Sequence, residues 1–428
     1  MNATIAFGKN ELLLNLPEGP HYEVIRAHTA EAIADVHASL NSALDQPIGC
    51  APLVELASGK QSAAISVCDI TRPAPNSTTL PPLLERLHRA GIGPTDVTIF
   101  IATGLHRAAT DEEIKIIVGE KIASQYKVVN HDAKDFASHR LLGSTRRGTP
   151  AYVDERFMAA DLHISMGFIE QHLMLGFSGG RKLIAPGLAA QETIKVIHSP
   201  RFMREVMATE GSVNENPLHD ELLEIARMAR HDFMLDVTLT RSREISGIFA
   251  GDPVKAHAAG VEFIRKSSLE YLPGYVDAVI TSAAGYPLDL TFYQTIKGIT
   301  AAQHILRPGG KILVFGECAE RVGSPEFAKK LSAYRGAQEY LEEIREAPVD
   351  VDQWQLEKLA LVELKHPVLL YTPGVSKGDL GVLGEHAYDS VTAALEALLF
   401  DLPRDARIAV IPDGPYTYAR VGGGPLKA

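Results

Sequence analysis

The amino-acid sequence predicts an α/β protein built of two α/β domains with mainly parallel sheets, its active site in the cleft between them. Short runs rich in valine and isoleucine alternate with longer segments of helical period, the pattern of βα units. Several runs end abruptly in polar or glycine-containing loops, where open α/β sheets bind ligands. A chain of 428 residues also exceeds what one hydrophobic core usually holds.

The expected strands, in order, are Ser66–Ile70, Val97–Ala102, Tyr126–Asn130, Leu162–Met166, Val276–Thr281, Lys311–Gly316, Val368–Thr372 and Arg407–Ile411. Between them the helical period predicts Ala30–Leu44, Leu80–Ala90, Asp111–Val118, Ala190–His198, Pro217–Ala229 and Pro253–Ser268. Thr295–Ile305, Pro325–Glu343, Gln353–Leu364 and Ser390–Leu399 follow. Thr110 ahead of three acidic residues and Asn216 ahead of Pro217 are helix-start signals. The YLPGY break at Tyr271–Tyr275 sets the junction: residues 1–272 form an amino-terminal α/β domain carrying the glycine-rich loop described below, and residues 273–428 a Rossmann-like carboxyl-terminal domain. The turn-rich tail PDGPYTYARVGGGPLKA is read as returning to the first domain.

A net charge of −11, with no basic stripe, argues against nucleic acid and anionic membranes as partners. Three widely spaced cysteines fit neither a disulfide framework nor a metal knuckle, which suits a reducing cytoplasm. No basic, apolar leader opens the chain, and no window approaches the roughly 20 apolar residues of a membrane helix.

The strongest chemical signal is GFSGGRKLIAPG, Gly176 to Gly187, between an apolar strand and a helix. Glycines at 176, 179 and 180 let backbone N–H groups converge on an anion, and Ser178 and Arg181 add donors. Its spacing is not that of a P-loop, so magnesium–nucleotide binding is not implied; a plain glycine turn accounts equally well for the glycines alone. His172 before Lys182 and His198 after it frame the loop; imidazole suits nickel, copper, zinc and iron, and a lysine amine bonds covalently to a carbonyl-type carbon.

Two further loops start where strands end. DITRPAPN offers Arg72 as a two-pronged carboxylate clamp and Asp69 as a partner for that guanidinium or for a histidine; a capping turn with a surface arginine is the alternative. ATGLHR brings Thr103, Gly104, His106 and Arg107 to the same crevice, with His106 a candidate acid/base. Downstream, Gln294 and Lys297 in SAAGYPLDLTFYQTIKG share one helical face, suited to a substrate carboxylate or hydroxyl, or else to an ordinary amphipathic surface.

Taken together, DITRP, ATGLHR, GFIEQHLMLGFSGGRK, His198 and YQTIK resemble the nickel-pincer lactate racemases and their 2-hydroxy acid racemase and epimerase relatives. The resemblance implies a nickel-pincer nucleotide (a pyridinium-3-thioamide-5-thiocarboxylic acid mononucleotide) attached covalently to Lys182, with Ser178, Gly179, Gly180, Arg181, Thr103 and Gly104 at the cofactor. It further implies His198 as a nickel ligand, His106 and His172 as paired acid/bases, Arg72, Gln294 and Lys297 as substrate contacts, and Asp69 in support. The implied reaction inverts the 2-carbon of a small 2-hydroxy acid by reversible hydride transfer through a transient 2-oxo acid, and proteins that make the cofactor and insert nickel are expected partners. Ile70 stands where the lactate enzymes carry a polar residue, Gln171 replaces an expected proline, and Leu173, Met174 and Leu175 follow His172; lining the pocket, they favour an apolar substituent. Two other readings are a phosphate- or nucleotide-binding protein without redox chemistry, and a soluble-nicotinamide dehydrogenase, the latter weakened by the lack of an early GxGxxG.

Overall fold

The runs AAISVC and LHISMGF are buried along their whole length, as the strands Ala63–Cys68 and Leu162–Phe168, the signature of central parallel strands covered on both faces. They pair parallel with each other. Beyond the first lie Val97–Ala102 and then Lys127–Asn130, both parallel. Beyond the second lie Phe233–Leu239, parallel, and Ile245–Gly251, antiparallel. The computed structural model describes residues 1–422, and this six-stranded sheet centres one of two units, residues 29–197 and 207–267, here the lysine unit. The chain winds one way from Ala63–Cys68 and the other way from Leu162–Phe168, so strand order reverses between those two neighbours. Ligands bind outside the carboxyl ends of strands at such a switch point.

Local signals decided several boundaries. Thr110 and Glu113 form a reciprocal capping box at Asp111–Val118, and Asn216 accepts from the N–H groups of Leu218 and His219. The helix expected from Ala30 starts only at Val36, where Asp35 accepts from the Ala38 N–H. The helix expected over Pro325–Glu343 is broken into Pro325–Ser332 and Ala337–Glu343 by Gly336 at φ 130°. The pair Phe233–Leu239 and Ile245–Gly251 was not read from the sequence; its runs are short enough to pass for helix flanks.

The second, carboxyl-terminal unit comprises residues 1–28, 198–206 and the chain from 268. Its five-stranded parallel sheet runs Val368–Tyr371, Leu306–Phe315, Val276–Ser282, Arg407–Ile411, His21–Val24. Alternate residues of these strands feed two cores. Val279, Ile312, Val314 and Ala409 pack with Ile296, Phe327, Leu356 and Leu359; Ala278, Leu313, Phe315 and Ile408 pack with Ala3, Ile5, Leu14 and Leu395. The hairpin Asn2–Phe7/Asn10–Asn15 thus covers one face, and residues 1–28 join this unit although the chain break near Tyr271–Tyr275 would place them in the first domain. The tail, as far as it is described, pairs Tyr418–Val421 with Leu269–Leu272 of the same unit; residues 423–428 lie outside the described residues. No helix among the described residues is long and apolar enough to cross a membrane.

Burial sets the pH response of the lysine unit. It lowers His131 to about 3, with neighbouring His139 adding to the effect, and His219 to about 3, with Arg181 adding; it lowers His231 to about 4 and His257 well below its ordinary value. Each of these folded-state values lies below the unfolded one, so stability is complete above about 6.5 and is lost as pH falls toward the folded values. Asp236, raised by burial to about 7, opposes them in this unit, one group against four; Glu357 and Glu363, also raised by burial, belong to the carboxyl-terminal unit. We predict that the melting temperature falls between pH 7 and pH 5, by about 2–4 °C for each 1 kcal/mol of net loss; calorimetry across that range checks it, and an unchanged or rising value refutes it.

Candidate active site

Three loops named by the sequence leave the carboxyl ends of three adjacent parallel strands, Leu162–Phe168, Ala63–Cys68 and Val97–Ala102. The sheet therefore gathers Asp69, Arg72, Thr103, Gly104, His106, His172 and the 176–187 loop at the switch point of the lysine unit. Asp69 is 6% exposed, and its Oδ2 accepts from His106 Nδ1 at 2.6 Å. Its Oδ1 accepts from the Thr71 hydroxyl at 2.7 Å. Burial alone would raise this carboxyl, but the bonds from His106 and Thr71 and the charge of Arg72 prevail and hold it below the usual carboxylate range. An ionised Asp69 holds a proton on His106 Nδ1, so Nε2 is the ring atom through which proton exchange would run.

His172 is oriented the other way round. Its Nδ1 accepts from the N–H groups of Met174 and Leu175, each at 3.4 Å, which in a neutral ring leaves the proton on Nε2. Leu173, Met174 and Leu175 themselves are buried, and Ile70 packs against the main core of the unit.

The lysine loop is organised from within. Gly179, at φ +82°, precedes a 3-10 turn over Gly180–Leu183. Arg181, 1% exposed, donates to four backbone oxygens, of Ser178 and Gly179 through one nitrogen and of Leu175 and Phe177 through the other. The first nitrogen also lies 2.7 Å from His257 Nε2, which is itself 2.8 Å from Ser178 O. The Gly180 N–H donates to Asp236 Oδ2 at 2.6 Å. Ser178 Oγ donates to Phe168 O and accepts from the Glu170 N–H, and Thr103 Oγ1 donates to His131 O at 2.7 Å. The donors of Ser178, Arg181 and Thr103 and the Gly180 N–H thus all have partners within the protein, where they shape the loop. Gly104, at φ +54°, brings its N–H to Gly187 O, tying the ATGLHR loop to the lysine loop. Arg107 pairs on the surface with Glu113.

Lys182 is half-buried, next in the chain to the inward-turned Arg181. Burial drives the Cys68 thiol up to about 12, Asp236 and Asp69 adding to the rise and the charges of Arg72 and Lys182 opposing it.

The remaining predicted residues belong to the carboxyl-terminal unit. Gln294 and Lys297 stand on the helix Phe292–Ala302, whose start follows the strand Val276–Ser282, and Gln294 Oε1 is buried without a hydrogen-bond partner. His198 lies in the 198–206 segment, its ring 4.5 Å from that of Trp354. The switch point of this unit's sheet, between Val276–Ser282 and Arg407–Ile411, is closed by its own hairpin: the Ala6 N–H donates to Pro412 O, the Gly8 N–H to Asp289 Oδ2, and the Tyr286 N–H to Gly8 O. Sequence reasoning missed Asp236, His257 and Trp354. The lone acid inside FMLDVTL and the single tryptophan were the available signals.

Comparison with known proteins agrees. A lactate racemase N-terminal domain model matches residues 7–211 and a lactate racemase C-terminal domain model residues 273–416. The chain is 32% identical over 419 residues to the lactate racemase of Thermoanaerobacterium thermosaccharolyticum, covering 96% of this chain and 98% of that one. It is 33% identical over 380 residues to the lactate racemase of Lactiplantibacillus plantarum, covering 88% and 89%. The structure of the Thermoanaerobacterium lactate racemase apoprotein superimposes with a TM-score of 0.90, covering 98% of this chain and 100% of that one at 32% identity. A Thermotoga maritima protein shares the fold at a TM-score of 0.64 and 17% identity, covering 90% and 97%.

A Cβ at position 179 would stand 2.3 Å from Asp236 Oδ2 and 3.0 Å from Ile169. Gly179→Ala is therefore expected to lower stability by about 1–3 kcal/mol through backbone strain and overpacking. Denaturant unfolding measures this, and a variant as stable as the parent contradicts the loop geometry.

Proposed function

The chain belongs to the lactate racemase family and is a 2-hydroxy acid racemase, and from that premise we propose that it inverts a small 2-hydroxy acid at C2 using a nickel-pincer nucleotide held covalently by Lys182. The observation that carries the reading is the Asp69–His106 pair at 2.6 Å, at the same switch point as the Lys182 loop. The donor set suits such a group. Among the described residues no three His, Cys, Asp or Glu side chains stand together as a metal site, so a metal here brings most of its ligands with it and needs one imidazole, for which His198 is the candidate.

The hydrogen on C2 of a hydroxy acid is very weakly acidic beside an ionised carboxylate, so simple proton abstraction is unfavourable. When bound, the pyridinium of the cofactor supplies a hydride acceptor and donor at that carbon. The chain's own residues hold the substrate and manage the hydroxyl proton. His106, oriented by Asp69 through Nδ1, and His172 are the proton-transfer pair. For one enantiomer one imidazole takes the hydroxyl proton while the other, as imidazolium, returns one, and for the opposite enantiomer the roles exchange. Arg72, whose guanidinium donates to Thr71 at 3.0 Å, grips the carboxylate. Gln294, with its buried unpartnered oxygen, and Lys297 supply further donors for carboxylate and hydroxyl.

The test uses protein matured together with the proteins that make the cofactor and insert nickel, on which activity is expected to depend. Enantiopure 2-hydroxy acids, lactate first, are followed by chiral chromatography, and intact mass reports the adduct. The parent should carry added mass and racemise its substrate. Lys182→Ala should lose both, and turnover by an adduct-free chain sinks the proposal. His106→Ala and His172→Ala should keep the added mass while turnover drops about 10²–10⁴-fold. Asp69→Asn, which disturbs only the orientation of His106, should fall less.

A further inference from the structure

Residues 198–206 leave the lysine unit's chain and contact, in the carboxyl-terminal unit, the helix Gln353–Glu363. Trp354, 6% exposed, lies against the His198 ring with centroids 4.5 Å apart and planes inclined by 42°. One turn on, the wholly buried carboxylate of Glu357 accepts from Arg204 Nε at 2.7 Å, and the same guanidinium donates to Leu341 O at 2.6 Å. Lys358 Nζ donates to Met203 O at 2.8 Å. Positions 354, 357 and 358 share one helical face, so a single stripe grips both ends of the segment. The stripe also reaches the substrate helix: Trp354 Nε1 donates to the Tyr293 hydroxyl at 3.3 Å, and Gln355 Nε2 donates to Tyr293 O at 2.7 Å, next to Gln294.

A histidine on a short segment has two freedoms that matter to a metal, the path of its backbone and the rotation of its ring. The Glu357–Arg204 pair restrains the first, because releasing Arg204 leaves a buried carboxylate uncompensated. Ring contact with Trp354 restrains the second. From this geometry we infer that Trp354 and Glu357 are positioning residues for His198, Trp354 setting its ring and Glu357 clamping its segment through Arg204. The inference rests on His198 being the nickel ligand. It adds that the ligand's aim is set by the unit that carries Gln294 and Lys297.

The experiment reads nickel rather than turnover. Matured protein is desalted, its Lys182 adduct is confirmed by mass, and nickel loss into a chelator is timed by elemental analysis. Trp354→Leu and Arg204→Ala should keep the adduct and lose nickel about 10–100-fold faster than the parent. Trp354→Phe and Arg204→Lys, which keep a ring and a charge, should recover much of the difference, and they carry the test if the harsher variants fail to fold. Nickel retention at the parental rate in all four, with loss in His198→Ala, overturns the positioning role and leaves the ligand reading intact. Retention in His198→Ala as well overturns the ligand reading. Since Trp354 is the single tryptophan, its fluorescence in the apoprotein provides a second readout. His198→Ala should alter its intensity, and an unchanged spectrum contradicts the ring contact.

Discussion

The buried guanidinium of Arg181 is the constraint on which the site depends. A charge at 1% exposure is costly unless its donors find acceptors. Here one side chain collects the carbonyls of Leu175, Phe177, Ser178 and Gly179, tying the loop's turns to one another. Asp236 completes the bracket from the strand beneath by taking the Gly180 N–H. With the loop held from inside by these two buried side chains, the next residue, Lys182, has a fixed point of departure. The glycines serve the same end, since they let the backbone pass close enough to Asp236 for the bond to form.

A second theme is the division of chemical labour between the two units. The lysine unit holds the proposed attachment amine, the Asp69–His106 pair and His172. The carboxyl-terminal unit holds Gln294, Lys297 and, through the 198–206 segment, His198. The chain leaves one unit, gives nine residues to the other and returns. That detour is what places a metal-binding type of side chain beside the helix carrying substrate-binding types.

Much of this was legible in advance, for physical reasons that can be named. The parallel strands announced themselves because buried strands have no polar face to interrupt the run, as in AAISVC. The three loops could be read because ligand sites of such sheets lie where strands end. Asp69 was read as a partner for Arg72 or for a histidine, yet which of them it holds was not readable, since Asp69 and His106 stand 37 positions apart and meet only through strand pairing. The backbone partners of Ser178 and Arg181 were not readable for a related reason: a donor's residue type is visible in sequence, but the atoms it turns toward are decided by local loop geometry. The allegiance of the first 28 residues escaped notice because a strand's partner lying at the far end of the chain leaves no local trace.

That last pairing shapes how the chain comes off the ribosome. His21–Val24 emerges early but lies beside Arg407–Ile411, so it waits for nearly the whole polypeptide to be made before its sheet exists. The lysine unit, encoded between, has all its own strands by residue 267 and is free to fold first, as a nested insertion. Translation that stops short of the last strands would therefore release a finished lysine unit with an orphaned apolar hairpin at its leading end, a natural target for chaperones and proteases.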